Sequence, residues 1–258
     1  MKQEIKLNYQ SSTSEANNLI VCLHGNSTDS NYFSALLNQI DGWQVVAPDF
    51  VGHGKSPRLK PSEYHFEVFI QCLVDFINQF SFRKLVIIGH SMGGNLAIEL
   101  MKVIQIDGVL LLAAPPVSYS SSFAPYLKLP NFELTENEQE NIILIENFVS
   151  DFSSNQNVID YLKETFLNTD SVFRDRLLQE FGAMKFSDQL AVLKQNKSTY
   201  VGCIIAVDDT GANNDFLNQL NNEGVFDFYA KIKDSGHYSL LEKPSNNYES
   251  IMKYLEKL

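Results

Sequence analysis

The sequence predicts an α/β fold in which a mostly parallel sheet carries helices on both faces. Apolar runs rich in β-branched residues, which are typical of buried parallel strands, alternate along the chain with segments of helical spacing. The alternation stops after Pro116 and resumes near Tyr200, so the residues between them are interpreted as an insertion. At residues 85–102 a strand passes into a helix with almost no room to turn.

Length, composition and charge describe one large globular domain. The 258 residues are enough to bury a sizeable core, and 44% hydrophobic with 20% charged residues is an ordinary balance. A net charge of −11 argues against nucleic acid or an anionic membrane as a partner. No apolar run reaches the roughly 18 residues that span a bilayer, and no secretory signal opens the chain. We therefore expect a cytoplasmic protein without a membrane span, whose cysteines Cys22, Cys72 and Cys203 stay reduced.

The elements before the insertion follow from periodicity and turn residues. Alternating polar and apolar positions predict a half-exposed strand, continuous apolar runs predict buried strands, and apolar residues three and four apart predict helices. In chain order these are a strand at 5–9, a strand at 19–23, a helix at 32–40, a strand at 43–48, a helix at 64–80, the strand at 85–88 with its helix at 95–102, and a strand at 109–114.

Residues 117–195 contain no convincing strand and are predicted to form an inserted helical cap. Four helical segments are expected there, at about 136–149, 158–166, 172–181 and 187–193. The sheet pattern then resumes with strands at 200–207 and 225–230, a short helix at 216–220 and a closing helix at 246–258.

The strand-to-helix passage holds the pattern Gly89-His90-Ser91-Met92-Gly93, which is a Gly-x-Ser-x-Gly nucleophile elbow. Such a tight turn forces Ser91 into a strained backbone conformation at the carboxyl end of the strand. Side chains at Gly89 and Gly93 would strike neighbouring backbone. A pattern with so few fixed positions is often found by chance in unrelated sequences, but its place between a buried strand and a helix indicates a nucleophile elbow.

A serine hydroxyl needs a base, and the base needs an orienting acid. Of the five histidines, His237 lies in a tight loop after the last strand, at the sheet edge where Ser91 lies. Asp208 and Asp209 end the preceding strand, so the order of residues is serine, aspartate, histidine. Asp209 is the expected acid, and Asp208 is the alternative.

A tetrahedral intermediate also needs two preorganised donors for its oxyanion. The backbone N–H of Met92 lies in the first turn of the helix after Ser91, where the helix dipole helps. The backbone N–H of Asn26 is the second candidate, because Gly25 lets that loop approach the site closely.

The chain resembles the α/β-hydrolase superfamily, in particular its capped esterase and lipase-like members. Four stretches carry the resemblance: His24-Gly25-Asn26, Asp49 with Gly52-His53-Gly54-Lys55-Ser56, Gly89-His90-Ser91-Met92-Gly93-Gly94, and Ser235-Gly236-His237-Tyr238 with Glu242-Lys243-Pro244.

The resemblance implies an α/β-hydrolase fold with eight strands, in which residues 1–116 and 196–258 form the catalytic domain and 117–195 the cap. It also implies that Asp49 and His53 brace loops. At the acid turn Ala206 stands where the family usually has glycine, and this alignment makes Asp209 the acid.

The expected activity is cleavage of a carboxylic ester or related acyl bond through an acyl-enzyme, as in carboxylesterases, with no metal or organic cofactor. Acyl transfer, C–C bond hydrolysis, peptide-terminal hydrolysis and elimination use the same triad in related families and stay open. A ligand receptor with little catalysis is a third reading. The substrate is expected to be a small molecule with an uncharged or apolar acyl part, and a homodimer stays open.

Aromatic and acidic residues of the insertion bear on the substrate. The aromatic side chains either line a pocket above Ser91 or form the insertion's own core, and the second is expected for most of them. The acidic run is expected to be a solvated helix start. The residues concerned are Phe123, Tyr126, Phe132, Phe148 and Phe152, and then Glu133, Glu136, Glu138 and Glu140.

Overall fold

A computed structural model describes residues 5–118, 137–183 and 185–258, and these form one α/β sheet structure with helices on both faces. Seven strands of the described residues lie in the order β1-β3-β2-β4-β5-β6-β7, and all neighbours are parallel except β1 and β3. The predicted fold class is therefore confirmed. The strands are β1 Tyr9–Ser11, β2 Asn18–Leu23, β3 Gln44–Pro48, β4 Lys84–His90, β5 Gly108–Leu112, β6 Tyr200–Ala206 and β7 Phe228–Ile232.

The helices cover both faces of the sheet and the region between β5 and β6. They are α1 Phe66–Ile77, α2 Met92–Leu100, α3 Glu138–Ser150, α4 Gln156–Asn168, α5 Ser171–Gly182, α6 Gln189–Gln195, α7 Asn214–Asn222, α8 Ser239–Glu242 and α9 Pro244–Leu255. None of the helices in the described ranges combines the length and the apolar character that a bilayer span requires.

Both faces of the central strands are buried, which explains their continuous apolar runs. Along β2, Leu19 and Val21 pack into the hydrophobic cluster that includes α1 and α2. Ile20 and Cys22 point to the opposite face, into the cluster that includes α9. Successive strand residues thus serve two cores, and neither face leaves a polar position in the middle of the strand.

Two segments of the first fifty residues differ from the sequence-based expectation. Residues 5–8 are not in strand conformation; the backbone of Asn8 instead hydrogen-bonds Ser56 and Asp49, and pairing starts at Tyr9. The helix expected at 32–40 is a 3-10 helix at Ser30–Phe33 followed by turns. Its hydrogen bonds join residues three apart, as in Leu36 N–H to Phe33 O at 2.9 Å, yet its apolar side chains are buried as expected.

The sheet has one strand fewer than the eight implied by the resemblance, because only β1 precedes β2 within the described part of the chain. The last strand also begins later than expected, at Phe228 rather than 225. Gly224, with φ of +73°, ends α7 in the left-handed conformation, and Val225 N–H returns to Leu220 O. This helix cap occupies the start of the predicted strand.

The insertion carries the four expected helices, α3 to α6, between β5 and β6. Side chains of α3 and α4, among them Ile145, Leu162 and Phe166, form a hydrophobic cluster of their own. Asn137 caps α3 by accepting the N–H groups of Gln139 and Glu140. Five of the residues singled out above lie outside the described residues: Phe123, Tyr126, Phe132, Glu133 and Glu136.

Candidate active site

Ser91 lies at the junction of β4 and α2 in a strained backbone conformation. Its φ of +50° and ψ of −120° are unfavourable for a residue with a Cβ atom, and it is 8% exposed. The glycines allow this turn. A Cβ on Gly93 would lie 2.1 Å from Leu23 O, and one on Gly89 would lie 2.5 Å from Gly93 O. The backbone is therefore too closely packed for any other residue at these two positions.

His237 and Asp209 form a buried hydrogen-bonded pair at the same edge of the sheet. His237 Nδ1 lies 2.9 Å from Asp209 Oδ2 and 3.0 Å from Oδ1, and the two side chains are 6% and 0% exposed. The backbone N–H groups of Gly211 and Ala212 donate to Asp209 Oδ1 at 2.6 and 3.0 Å. The carboxylate is thus held in one orientation, with Nδ1 as the protonated nitrogen of His237 and Nε2 free to accept a proton.

The structure distinguishes the two candidate acids by their positions. Asp208 is exposed, and its backbone N–H binds Ser235 O at 3.1 Å, whereas the Asp209 carboxylate contacts His237. Asp209 is the carboxylate that can orient the histidine.

His90 links the elbow to the histidine loop. Its Nε2–H donates to His237 O at 2.9 Å, and the two ring centroids are 4.9 Å apart. Because His90 immediately precedes Ser91, this hydrogen bond fixes the His237 loop beside the elbow. Ser91, Asp209 and His237 follow the carboxyl ends of β4, β6 and β7 and so lie at one edge of the sheet.

The two expected oxyanion donors flank Ser91. Met92 is the first residue of α2, where an N–H has no acceptor within the helix. On the other side, a Cβ added to Gly25 would lie 3.4 Å from Ser91 Cβ. His24 Nδ1–H and the Thr28 hydroxyl donate to Gly25 O at 2.7 and 2.9 Å. Since C=O and N–H of a trans peptide point in opposite directions, these bonds also fix the direction of the Asn26 N–H.

His24 and His53 brace loops around the site. His24 Nε2 accepts the Phe50 N–H at 3.0 Å, and His53 Nε2 accepts the Ser27 N–H at 3.2 Å. Burial lowers the pKa of His24, and it lowers the pKa of His53 and His90 well below the usual value. All three imidazoles are therefore neutral, with one nitrogen free to accept where the hydrogen bonds require it.

Asp49 organises the loop that follows β3. Its carboxylate accepts the N–H groups of Ser30 and Lys55 at 2.8 and 2.9 Å and the side-chain amide of Asn8 at 2.8 Å. Burial alone would raise the pKa of Asp49, but these hydrogen bonds outweigh it and lower the pKa. The bracing role implied for Asp49 agrees with these contacts.

The buried neutral histidines predict a loss of stability in mild acid. Below pH 6.5 the histidines bind protons in the unfolded chain, whereas folding keeps His24, His53 and His90 neutral. Their contribution is complete above pH 6.5 and is lost as the pH falls, by up to about 1.4 kcal/mol per pH unit for each group. Urea unfolding at pH 7.5 and 5.5 measures it. An equal free energy of unfolding at both pH values contradicts the assignment of the three histidines as neutral. His53→Gln should reduce the pH dependence of the unfolding free energy by the equivalent of about one bound proton.

The insertion contacts loops of the site in ways that the sequence did not reveal. The Tyr161 hydroxyl donates to Asp29 Oδ1 at 2.9 Å, next to the Gly25 loop, and burial raises the pKa of Tyr161 so that it stays a donor. The Tyr64 hydroxyl donates to Asp170 Oδ2 at 2.7 Å. Asp29 and Tyr161 are separated by 132 positions, and no local pattern signals such a contact.

Part of the chain is similar in sequence to proteins of a known fold. Residues 18–131 match the family model described as "alpha/beta hydrolase fold". The "Putative esterase/lipase 2" of Mycoplasma genitalium is 28% identical over 106 residues, which is 40% of each chain. That of Mycoplasma pneumoniae is 23% identical over 230 residues, covering 84% of this chain and 82% of the relative. The first match thus spans less than half of the relative's length.

Solved structures show the same fold over nearly the whole chain. An N-acyl homoserine lactonase complexed with N-butanoyl homoserine superposes with a TM-score of 0.79 at 20% identity, covering 98% of this chain and 93% of that one. A structure described as "a putative aryl esterase from Burkholderia cenocepacia" superposes with a TM-score of 0.80 at 14% identity, covering 97% of this chain and 94% of that one. By architecture the chain has the α/β-hydrolase fold.

Proposed function

We propose that the protein is a serine hydrolase that cleaves a carboxylic ester or a related acyl bond through Ser91, His237 and Asp209. The observation that carries this proposal is the buried His237–Asp209 hydrogen bond beside the strained Ser91 elbow. Relatives that bear esterase/lipase names support the same reaction class.

In the proposed mechanism His237 Nε2 takes the proton of Ser91 Oγ as that oxygen attacks the substrate carbonyl. Asp209 keeps Nδ1 protonated and stabilises the imidazolium that forms. The N–H groups of Asn26 and Met92 hold the oxyanion, each lowering the barrier by roughly 3 kcal/mol. His237 then returns the proton to the leaving group, and a water activated by His237 releases the acyl group from Ser91.

Residues 117–195 are proposed to act as a cap that shapes the substrate site. The polar contacts of Tyr161 with Asp29 and of Asp170 with Tyr64 support this role. The first joins the insertion to the loop after β2, which contacts Ser91, and the second joins it to the segment before α1. An uncharged or apolar acyl part is proposed because the protein is acidic overall, with a net charge of −11.

A panel of p-nitrophenyl esters with acyl chains of two to twelve carbons tests the function. We expect turnover that depends on chain length, with a burst of p-nitrophenol if deacylation is slow. N-acyl homoserine lactones belong in the panel because a lactonase shares the fold. No turnover of any ester or lactone, together with covalent labelling of Ser91 by a fluorophosphonate, would favour the alternatives that use the same triad for C–C cleavage or acyl transfer.

A further inference from the structure

Phe152, in the turn after α3 of the insertion, lies against the His237–Asp209 pair. Its ring centroid is 5.7 Å from that of His237, and the residue is 7% exposed. The sequence predicts that most of the aromatic side chains singled out in the insertion belong to its own core. Phe152 contacts Phe148, with ring centroids 5.1 Å apart, and it also contacts the two loops that hold the pair.

On the aspartate side, the turn after β6 is fitted to Phe152. A Cβ on Gly211 would lie 2.8 Å from Phe152 Cε1 and 3.0 Å from His237 Nδ1. The Gly211 N–H is the same group that donates to Asp209 Oδ1. The Thr210 hydroxyl donates to Asp151 O at 2.6 Å, which fixes the backbone just before Phe152. The aromatic ring therefore packs directly over the backbone that orients the carboxylate.

On the histidine side, the backbone of the same turn approaches Gly236. A Cβ there would lie 2.4 Å from Phe152 O. Glu242 joins both segments: its Oε2 accepts the Gly236 N–H at 2.7 Å, and its Oε1 accepts the Ser153 hydroxyl. The turn at 151–153 is thus bonded or packed to each loop of the pair.

We propose that Phe152 is a positioning residue for His237, acting by excluding water from the His237–Asp209 hydrogen bond. A charge-assisted hydrogen bond is stronger where water is absent, and a rigid apolar ring keeps the imidazole in one orientation. The insertion then takes part in catalysis as well as in substrate selection. This inference rests on the proposed function for its kinetic consequence, but the contact itself concerns the His237–Asp209 pair whatever the reaction.

The test compares Phe152→Leu with Phe166→Leu. Phe166 is a matched control because it lies in the insertion, is 6% exposed and packs in the cluster of α3 and α4. Two quantities are measured: the kinetics of a turned-over p-nitrophenyl ester, and the low-field NMR signal of His237 Nδ1–H in protein labelled with ¹⁵N-histidine. The signal is assigned by its loss in Asp209→Asn.

We expect Phe152→Leu to lower kcat about tenfold with KM changed less than about threefold, and to exchange the Nδ1 proton with water at least about fivefold faster. Phe166→Leu should leave both quantities within about twofold of the wild type. Should Phe152→Leu fail to fold, Thr210→Val, which removes only the hydrogen bond to Asp151, should give both effects at about threefold size. Wild-type proton exchange and kcat in the folded variant overturn the inference.

The NMR arm separates this inference from the proposed function. The exchange rate of the His237 Nδ1 proton can be compared between the wild type and Phe152→Leu even if esters are not substrates. Faster exchange without ester turnover leaves the positioning role standing and removes the esterase proposal. Unchanged exchange in Phe152→Leu, together with normal ester turnover, overturns the positioning role and leaves the esterase proposal standing.

Discussion

Replacing Ser91 with alanine should lower kcat for an ester substrate by about 10⁴-fold to 10⁶-fold, because the nucleophile that forms the acyl-enzyme is removed. The fold should persist, since Ser91 makes no core contact that alanine cannot replace and alanine meets the same strain at φ of +50°. Steady-state kinetics and thermal unfolding of the variant measure the two quantities together.

Ser239→Ala provides a matched control for this variant. Ser239 is 5% exposed and lies two positions after His237, and its hydroxyl donates to Asn247 Oδ1 at 3.4 Å. We expect its kcat to stay within about threefold of the wild type. Full activity in Ser91→Ala contradicts the mechanism, whereas equal losses in both variants would point to a structural disturbance of the edge.

Replacing Asp209 with asparagine should lower kcat by about 10⁴-fold. Asparagine keeps the size of the side chain, but its amide can donate to Nδ1, which leaves the proton on Nε2. That tautomer cannot accept the proton of Ser91, and the imidazolium loses its neighbouring negative charge. The same assay measures the effect, with KM expected to change little because Asp209 does not contact the substrate carbonyl.

Asp208→Asn is the control that the sequence itself supplies. Asp208 is exposed and contributes a backbone N–H to Ser235 O, which asparagine retains. Its kcat should stay within about threefold of the wild type. A large loss in Asp208→Asn with a small one in Asp209→Asn would assign the acid to the other residue and reverse the interpretation of the His237 contacts.

The sheet and the elbow could be predicted because their signals are local. β2 and β4 are apolar at every central position, since both of their faces are buried. The glycines around Ser91 mark a turn that leaves no space for side chains. The expectation that Ser91, Asp209 and His237 lie at one edge then followed from the rule that parallel strands end at the same edge of the sheet.

The residue pattern alone does not distinguish Asp208 from Asp209 as the orienting acid, because identical side chains occupy adjacent positions. The turn after β6 supports Asp209 as the acid, because its carboxylate accepts the N–H groups of Gly211 and Ala212 and contacts His237. Spacing also misled at residues 32–40, where apolar residues at helical intervals are buried by a 3-10 helix and turns. The spacing of apolar residues indicates which side chains are buried, but it does not determine whether the backbone hydrogen bonds are those of an α-helix or of a 3-10 helix.

Contacts of the insertion were beyond sequence reasoning for a different reason. Phe152 meets His237 across 85 positions, and Tyr161 meets Asp29 across 132. Such contacts depend on how the insertion packs on the sheet edge, and nothing within a window of ten or twenty residues reports it. Both Phe152 and Phe166 are buried aromatic residues of the insertion, yet Phe166 packs in the cluster of α3 and α4 whereas Phe152 contacts His237.

Intact-mass and peptide mass spectrometry after treatment with a fluorophosphonate test the central proposal most directly. A single adduct on Ser91 is expected, absent in Ser91→Ala and formed far more slowly in Asp209→Asn, because the reagent reacts only with a serine activated by its histidine. An adduct on another residue, or equal labelling of wild type and Ser91→Ala, would contradict the assignment of Ser91 as the nucleophile.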